Sequence, residues 1–233
     1  MSLLTIIQRV CDRTGISRPD TVVDSTDEAV RQLFALANEE GEELAKRYPW
    51  QALTSGWTFV TNAAETQTNT PIPEDLDRFI PNTFFNRTTQ RRLIGPISPQ
   101  EFEAVQANPA SASVYLAFRE RAGAFLITPT PSAGETIAYE YVSRNWARSS
   151  VGVGKAEFTV DGDGAYLDEG LIALGVRWRW KQAKGLDYSE DMETYERAVA
   201  RAMAHDGGAG ALSIRAGRTA PMQTNFPDGN FGI

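Results

Sequence analysis

The sequence predicts an α+β fold. An antiparallel helical bundle core carries an inserted small antiparallel β-rich domain and ends in an extended C-terminal arm. Three observations predict it. Apolar residues recur at three- and four-residue spacings over 2–47 and again over 166–204. Between 50 and 158 they alternate, and turn formers multiply. After His205 helical periodicity stops and glycines dominate. The expected divisions are 1–49 for the first half of the bundle, 50–165 for the β-rich insertion, 166–206 for the second half and 207–233 for the arm.

The first helix runs from a Ser2 cap to about Thr14, with Leu3, Ile6, Ile7, Val10, Cys11 and Thr14 on one stripe and Gly15 as the stop. Ser25 and Glu28 have capping-box spacing and open a second helix to about Arg47. Ala29, Leu33, Leu36, Ala37, Glu40 and Leu44 mark its inner face. Glu39, Glu40, Glu42 and Glu43 crowd its later turns. That acidic run is either a solvated face or a surface turned toward a basic partner or an acidic channel wall. Pro49 ends the helix.

In the middle block, 57–61 and 91–94 read as strands, the latter closed by Gly95 and Pro96. Ser98, Pro99 and Glu101 open a short helix, with Ser98 as cap, proline at the favoured first position and Glu101 completing a capping box. Residues 114–119 and 124–128 form a hairpin around Ala122-Gly123, and 136–142 is another alternating strand. Residues 157–160 are one more strand or an extended return path. Asp161-Gly162-Asp163-Gly164 has the look of a calcium loop. The EF-hand pattern fails, because Tyr166 and Ile172 stand where glycine and glutamate are needed. A turn is the expectation.

Residues 166–204 form a helix hairpin with Gly185 at its turn. In the first arm Leu171, Leu174, Gly175 and Trp178 fall on one side and Ile172, Val176, Trp180 and Ala183 on another, so this helix is buried on more than one side. Arg177, Arg179 and Lys181 take the remainder. Asp187 or Ser189 caps the second arm, whose stripe is Met192, Tyr195, Val199, Ala202 and Met203. In the glycine-rich tail, Leu212, Ile214, Met222, Phe226, Phe231 and Ile233 stand as isolated apolar anchors, a pattern suited to a segment that folds onto a partner.

Charge and motifs narrow the function. The formal net charge of -7 argues against gripping nucleic acid by its backbone. Cys11 is the one cysteine, so no internal disulfide is possible, and its stripe position makes it a buried small hydrophobe. Gln8, Arg9 and Asp12 break any signal-peptide pattern, and no run reaches the roughly 20 apolar residues of a membrane span. His205 is the sole histidine, near a helix C-terminus. Neither a zinc site nor a serine triad can be assembled around it from a motif. Gly152-Val153-Gly154-Lys155 lacks the spacing of a phosphate-binding loop. Glu74 with Asp75, and Asp168 with Glu169, are candidate acids only by being acidic. Arg87, Arg91 and Arg92 near Phe84 and Phe85 read as structural in so acidic a chain. No cofactor and no catalytic site are expected.

Three stretches carry a family resemblance: TDEAVRQLFALANEEGEELAKRYPWQAL, PIPEDLDRFIPNTFFNRTTQRRLIGPISPQEF and LDEGLIALGVRWRWKQAKGLDYSEDMETYE. With the order of elements, they make the chain similar to the head-to-tail adaptors of tailed bacteriophages, of the tail tubular protein A and podovirus connector type. The resemblance implies a structural protein, not an enzyme. It implies a ring, dodecameric as is usual for that type, beneath the portal, joining capsid to tail and lining the DNA exit channel. The partners implied are the portal protein, a downstream nozzle or tail-tube protein and further copies of the chain. Genomic DNA passes through without sequence-specific binding, and no membrane is involved. The setting implied is the capsid–tail junction of the virion, assembled in the host bacterial cytoplasm. Carried onto this chain, the portal contacts fall on Ile214, Arg215, Arg218, Met222, Phe226 and Phe231. An acidic ring would let DNA phosphates slide. A flexible arm predicts a monomer in isolation, with assembly templated by the portal. Two other readings stay open: a ligand- or carbohydrate-binding tail module using Trp57, Phe84 and Tyr115, or a tail-associated cell-wall hydrolase.

Overall fold

The structure, a computed structural model, describes residues 2–107 and 116–207. These residues form a mixed α+β protein of five α-helices and several antiparallel sheets: α1 (Leu3–Thr14), α2 (Glu28–Arg47), α3 (Pro99–Ala107), α4 (Glu169–Ala183) and α5 (Ser189–Asp206). Contacts divide the described chain into two compact units. Residues up to 54 and from 143 onward make a helical unit, and 55–142 a β-rich one.

The β-rich unit holds β1 (Thr54–Val60), β2 (Thr66–Gln67), β3 (Leu76–Phe79), β4 (Phe85–Asn86), β5 (Arg91–Arg92), β6 (Ala117–Arg121), β7 (Ala124–Thr128) and β8 (Thr136–Ser143). One sheet runs β1-β8-β4-β5, with β3 also on β8, and a second runs β2-β7-β6. Six of the eight residues of β8 are buried, on both faces, which is how a central strand reads. The expected hairpin is β6–β7, in register from Ala117 opposite Thr128 to Arg121 opposite Ala124. Ala122 and Gly123 both have positive φ, 52° and 75°, the two-residue turn whose twist matches that of the strands. Ser98 and Glu101 form the expected capping box at α3: Glu101 N donates to Ser98 Oγ at 3.2 Å, and Ser98 N to Glu101 Oε2 at 2.9 Å.

Aromatic rings fill this unit's core. Phe118 stacks on Phe125 with centroids 4.8 Å apart, Phe84 on Tyr139 at 4.6 Å, and Phe79 meets all four edge-on. The phenols keep polar partners: Tyr139 donates to Pro71 O at 2.6 Å and Tyr141 to Asp75 Oδ1 at 2.8 Å.

The helical unit is arranged around α4, which α1, α2 and α5 all contact. The α1 capping box is formed by Ser2 and Thr5, and Gly15 ends the helix in the left-handed conformation. Asp27, rather than Ser25, caps α2. Its Oδ1 accepts from Ala29 N at 2.8 Å, whereas Ser25 Oγ is engaged two residues along by Asp27 N. Neither Asp187 nor Ser189 caps α5: Tyr188 stands at the N-cap without a side-chain bond, and Asp187 Oδ1 accepts from Ser189 N and Oγ at 3.0 and 2.7 Å. Gly185, with φ 68°, makes the turn between α4 and α5.

Residues 143–165 resemble the β-rich block in composition, yet they pack with the helices. They form a small sheet of β9 (Ala147–Arg148), β10 (Gly154–Lys155) and β11 (Gly164–Ala165) in the order β10-β9-β11. Trp146 packs edge-on against Phe158 and lies flat against Gly41 of α2, where a Cβ would come within 2.2 Å of its ring. A glycine mid-helix costs about 1 kcal/mol relative to alanine, and here the bare backbone is what admits the indole. Residues 157–160 are a return path without strand pairing.

Candidate functional site

The acidic run of α2 does not simply face solvent. Glu40 is fully buried, and Arg179 of α4 reaches it with Nε–Oε2 at 2.7 Å. The same guanidinium holds Glu39 Oε1 at 3.0 Å and pairs with Glu43. Gly175 makes this lock possible: a Cβ there would lie 2.1 Å from the Glu40 carboxyl carbon. Burial raises the Glu40 pKa, and the Tyr195 hydroxyl and Arg179, which favour the ionised form, do not offset it. Of the two readings of the acidic run, Glu42 fits the solvated face, forming an exposed i,i+4 pair with Lys46. Glu40 fits the basic partner, which is the chain's own Arg179. Arg179, on the polar remainder of α4 by spacing, is 8% exposed because three carboxylates neutralise it.

A different flank of α4, bearing Arg177 rather than Arg179, lines an open groove of about 360 Å³ between α1, α4 and α5. Arg9 and Arg13 of α1, Arg177 of α4, and Arg201 and His205 of α5 border it, and Val10, Leu171 and Ala202 contribute its apolar lining. Arg177 is paired with Asp191 at 2.5 Å. The lining acid Asp168 caps α4, accepting from Gly170 N at 2.7 Å. The side chains of Arg9, Arg13 and Arg201 make no ion pair or hydrogen bond with the described residues. The sequence reading missed this cluster. Its signal was there: basic residues four apart on each of two helices, Arg9 with Arg13 and Arg201 with His205.

The other candidates separate cleanly. Phe84 is 2% exposed in the aromatic core, and Trp57 packs against that core while its Nε1 donates to Thr70 O at 3.0 Å. Phe84 is thereby closed to a ligand, Trp57 is half-buried, and Tyr115 lies outside the described residues. Asp75 accepts from Tyr141, Asp168 caps α4, and Glu169 Oε1 accepts from Ala165 N at 3.4 Å, so the adjacent carboxylates are in structural use. Arg91 and Arg92 sit exposed on β5 and both have partners. His205 lies in the last turn of α5, and Cys11 is buried.

The Asp161–Gly164 turn uses its carboxylates on the protein itself. Asp161 accepts from Val22 N and Val23 N at 2.8–3.1 Å. Asp163 accepts from Thr159 N, Val160 N and the Lys155 ammonium at 2.5–2.9 Å. Burial works against ionising Asp163, but these donors outweigh it and hold the carboxyl below its ordinary range. Among the described residues no group of acids, histidines and cysteines has the arrangement of a metal site, and no helix is long and apolar enough to cross a membrane. Ile214, Arg215, Arg218, Met222, Phe226 and Phe231 lie outside the described residues.

No curated protein matches the chain in sequence. A family model does: that of the SU10 adaptor protein, over residues 1–225. That span takes in all five helices, both larger sheets and most of the glycine-rich segment. Adaptors of this family are structural components of the phage virion and not enzymes, and they bind other virion components such as portal and tail. The carboxylates, arginines and histidine described above are thus parts of a scaffold, and the chain belongs to the SU10 adaptor family of phage head–tail adaptors.

Proposed function

We propose that copies of this chain form a ring beneath the portal, twelve in number as in the tail tubular protein A and podovirus connector type it resembles. The ring joins capsid to tail and lines the channel through which DNA leaves. The helical bundle core packs copy against copy. The β-rich unit inserted within 50–165 turns outward or toward the next tail component. Residues 207–233 are the extended arm that docks on the portal, with Ile214, Arg215, Arg218, Met222, Phe226 and Phe231 as its contacts. Assembly takes place on the portal in the host cytoplasm.

The observation that carries this reading is the family match over 1–225, which runs through the helices, the sheets and most of the arm. The charge balance supports it: with 30 acidic and 23 basic side chains, the chain suits a channel wall that repels phosphate. The test is the mass of the purified protein alone and after mixing with the portal protein encoded beside it. A monomer that becomes one large stoichiometric complex, and fails to do so when 207–233 are deleted, is the expected result. An intact portal that takes up no full-length protein sinks the reading.

A further inference from the structure

Deepening the ring reading, on which it rests, we propose that the groove between α1, α4 and α5 receives an acidic segment of a second copy of this chain, the stretch 20–28 that leads into α2. The groove is locally basic on a chain of net charge -7, and the side chains of three of its cations, Arg9, Arg13 and Arg201, pair with no carboxylate among the described residues. The stretch 20–28 is the opposite case. Asp20, Asp24 and Glu28 are exposed, and their side chains make no ion pair or hydrogen bond with described residues. Asp27 adds a fourth carboxylate at the α2 cap. Free charges of both signs on one compact unit are complementary surfaces that the unit does not satisfy internally.

The geometry explains why it does not. Residues 15–27 run back along α1, held by Gln8 Nε2 on Pro19 O at 2.9 Å and by the Asp161 carboxylate on Val22 N and Val23 N. Successive helix residues are about 100° apart, so Gln8 lies roughly 100° from Arg9 and 140° from Arg13 around α1. The acidic stretch and the groove therefore occupy different flanks of the same helix. A contact that joins one flank of a copy to a different flank of the next is heterologous, and heterologous contacts close into rings when the rotation permits. The acidic stretch is already fixed on its backbone, so docking orders little additional chain.

The groove's size and lining favour a peptide over nucleic acid. A site of about 360 Å³ with Val10, Leu171 and Ala202 among its walls fits a few side chains. A duplex presents mainly phosphate and sugar at its surface and is a poor match for the apolar lining of so small a groove.

The test is a charge swap, read by native mass spectrometry of the full chain mixed with the portal protein, with circular dichroism confirming helix content. Arg13→Glu with Arg201→Glu, and separately Asp24→Lys with Glu28→Lys, each raise the concentration needed for multi-copy assembly by about tenfold or more at low salt. All four substitutions in one chain restore assembly, because the signs are complementary again. A folding defect does not produce that rescue. Pair variants that assemble like the wild type, or a four-fold variant that stays unassembled, overturn the proposal and leave the ring intact. A wild type that never exceeds one copy on an intact portal overturns the ring and this contact together. Binding of a 30-base-pair duplex that is lost in the arginine variant, with assembly unchanged, assigns the groove to DNA instead.

Discussion

The two units of this chain solve the problem of a stable interior in different ways. The β-rich unit packs Phe59, Phe84, Phe118, Phe125 and Tyr139 into one aromatic cluster whose polar atoms lie at its edges. The helical unit buries charged groups among its aliphatic residues: Glu40 with Arg179 between α2 and α4, and Asp163, paired with the half-buried Lys155 of β10. The burial of these rings is driven by a nondirectional effect and does not depend on pH while the phenols stay neutral. Buried ions fix register and orientation, but their strength depends on protonation and on both partners staying in place. For a protein whose family joins other virion components, the ionic unit specifies how its helices stand relative to one another. Trp50, Trp146, Trp178 and Trp180 report on the helical unit and Trp57 on the β-rich one, so each can be followed by fluorescence in tryptophan-substituted backgrounds.

The largest effect expected is in the aromatic core. Phe118→Ala removes a fully buried ring stacked between Phe84 and Phe125 and costs about 3–5 kcal/mol, measured by denaturant unfolding of the Trp57 signal. Between pH 4 and 9 that loss stays constant. The shifted groups of this core are phenols, with Tyr141 pushed up to about 12 by burial and by Asp75. Stability from Tyr141 is complete below its ordinary value of 10.0 and is lost only as pH rises through the folded-state value.

Arg179→Met should cost the helical unit about 3 kcal/mol at neutral pH, because Glu40 is left buried without its cation. Here pH matters. Glu40 has a raised folded-state pKa, so its contribution is most favourable below the unfolded value of 4.5 and declines as pH rises through the folded one. The penalty of Arg179→Met therefore shrinks on acidification. A penalty that is flat from pH 7 to 4 contradicts the buried-ion account.

Asp163→Asn probes a buried carboxylate whose pKa is shifted in the opposite direction. Asp163 has a lowered pKa, so its stabilisation is present above the unfolded value of 3.8 and disappears as pH falls through the folded one. The expected loss is about 2 kcal/mol at pH 7 and close to zero at the acid end of a urea-unfolding pH series. The smallest effect is a gain. Ala122 adopts φ 52° in the β6–β7 turn, and Ala122→Gly should relieve about 0.5–1 kcal/mol, seen as a higher midpoint for the β-rich unit alone.

Much of the secondary structure was legible because local rules suffice for it. Ser2 and Gly15 bound α1, Ser98 and Glu101 open α3, and Ala122-Gly123 turns the hairpin, each through contacts within a few residues. The α2 cap was misplaced by two residues because Ser25 and Asp27 compete for neighbouring N–H donors, and only backbone geometry decides between them. Phe84 was open to two readings, since an aromatic residue next to arginines looks the same in sequence whether it faces a ligand or a core.

By itself the sequence determined the alternation of helical and β-rich segments, the acidic balance, the lack of any catalytic motif and the family to which these belong. Periodicity, capping and composition are properties of short windows, and the family likeness is their sum along the chain. Tertiary structure alone decided that Arg179 is buried, that Gly41 and Gly175 make room for Trp146 and Glu40, and that Arg9, Arg13 and Arg201 meet at one groove. Each of these joins residues from different helices or distant segments. Whether an arginine is a solvated surface charge or the centre of a core depends on what the fold places opposite it.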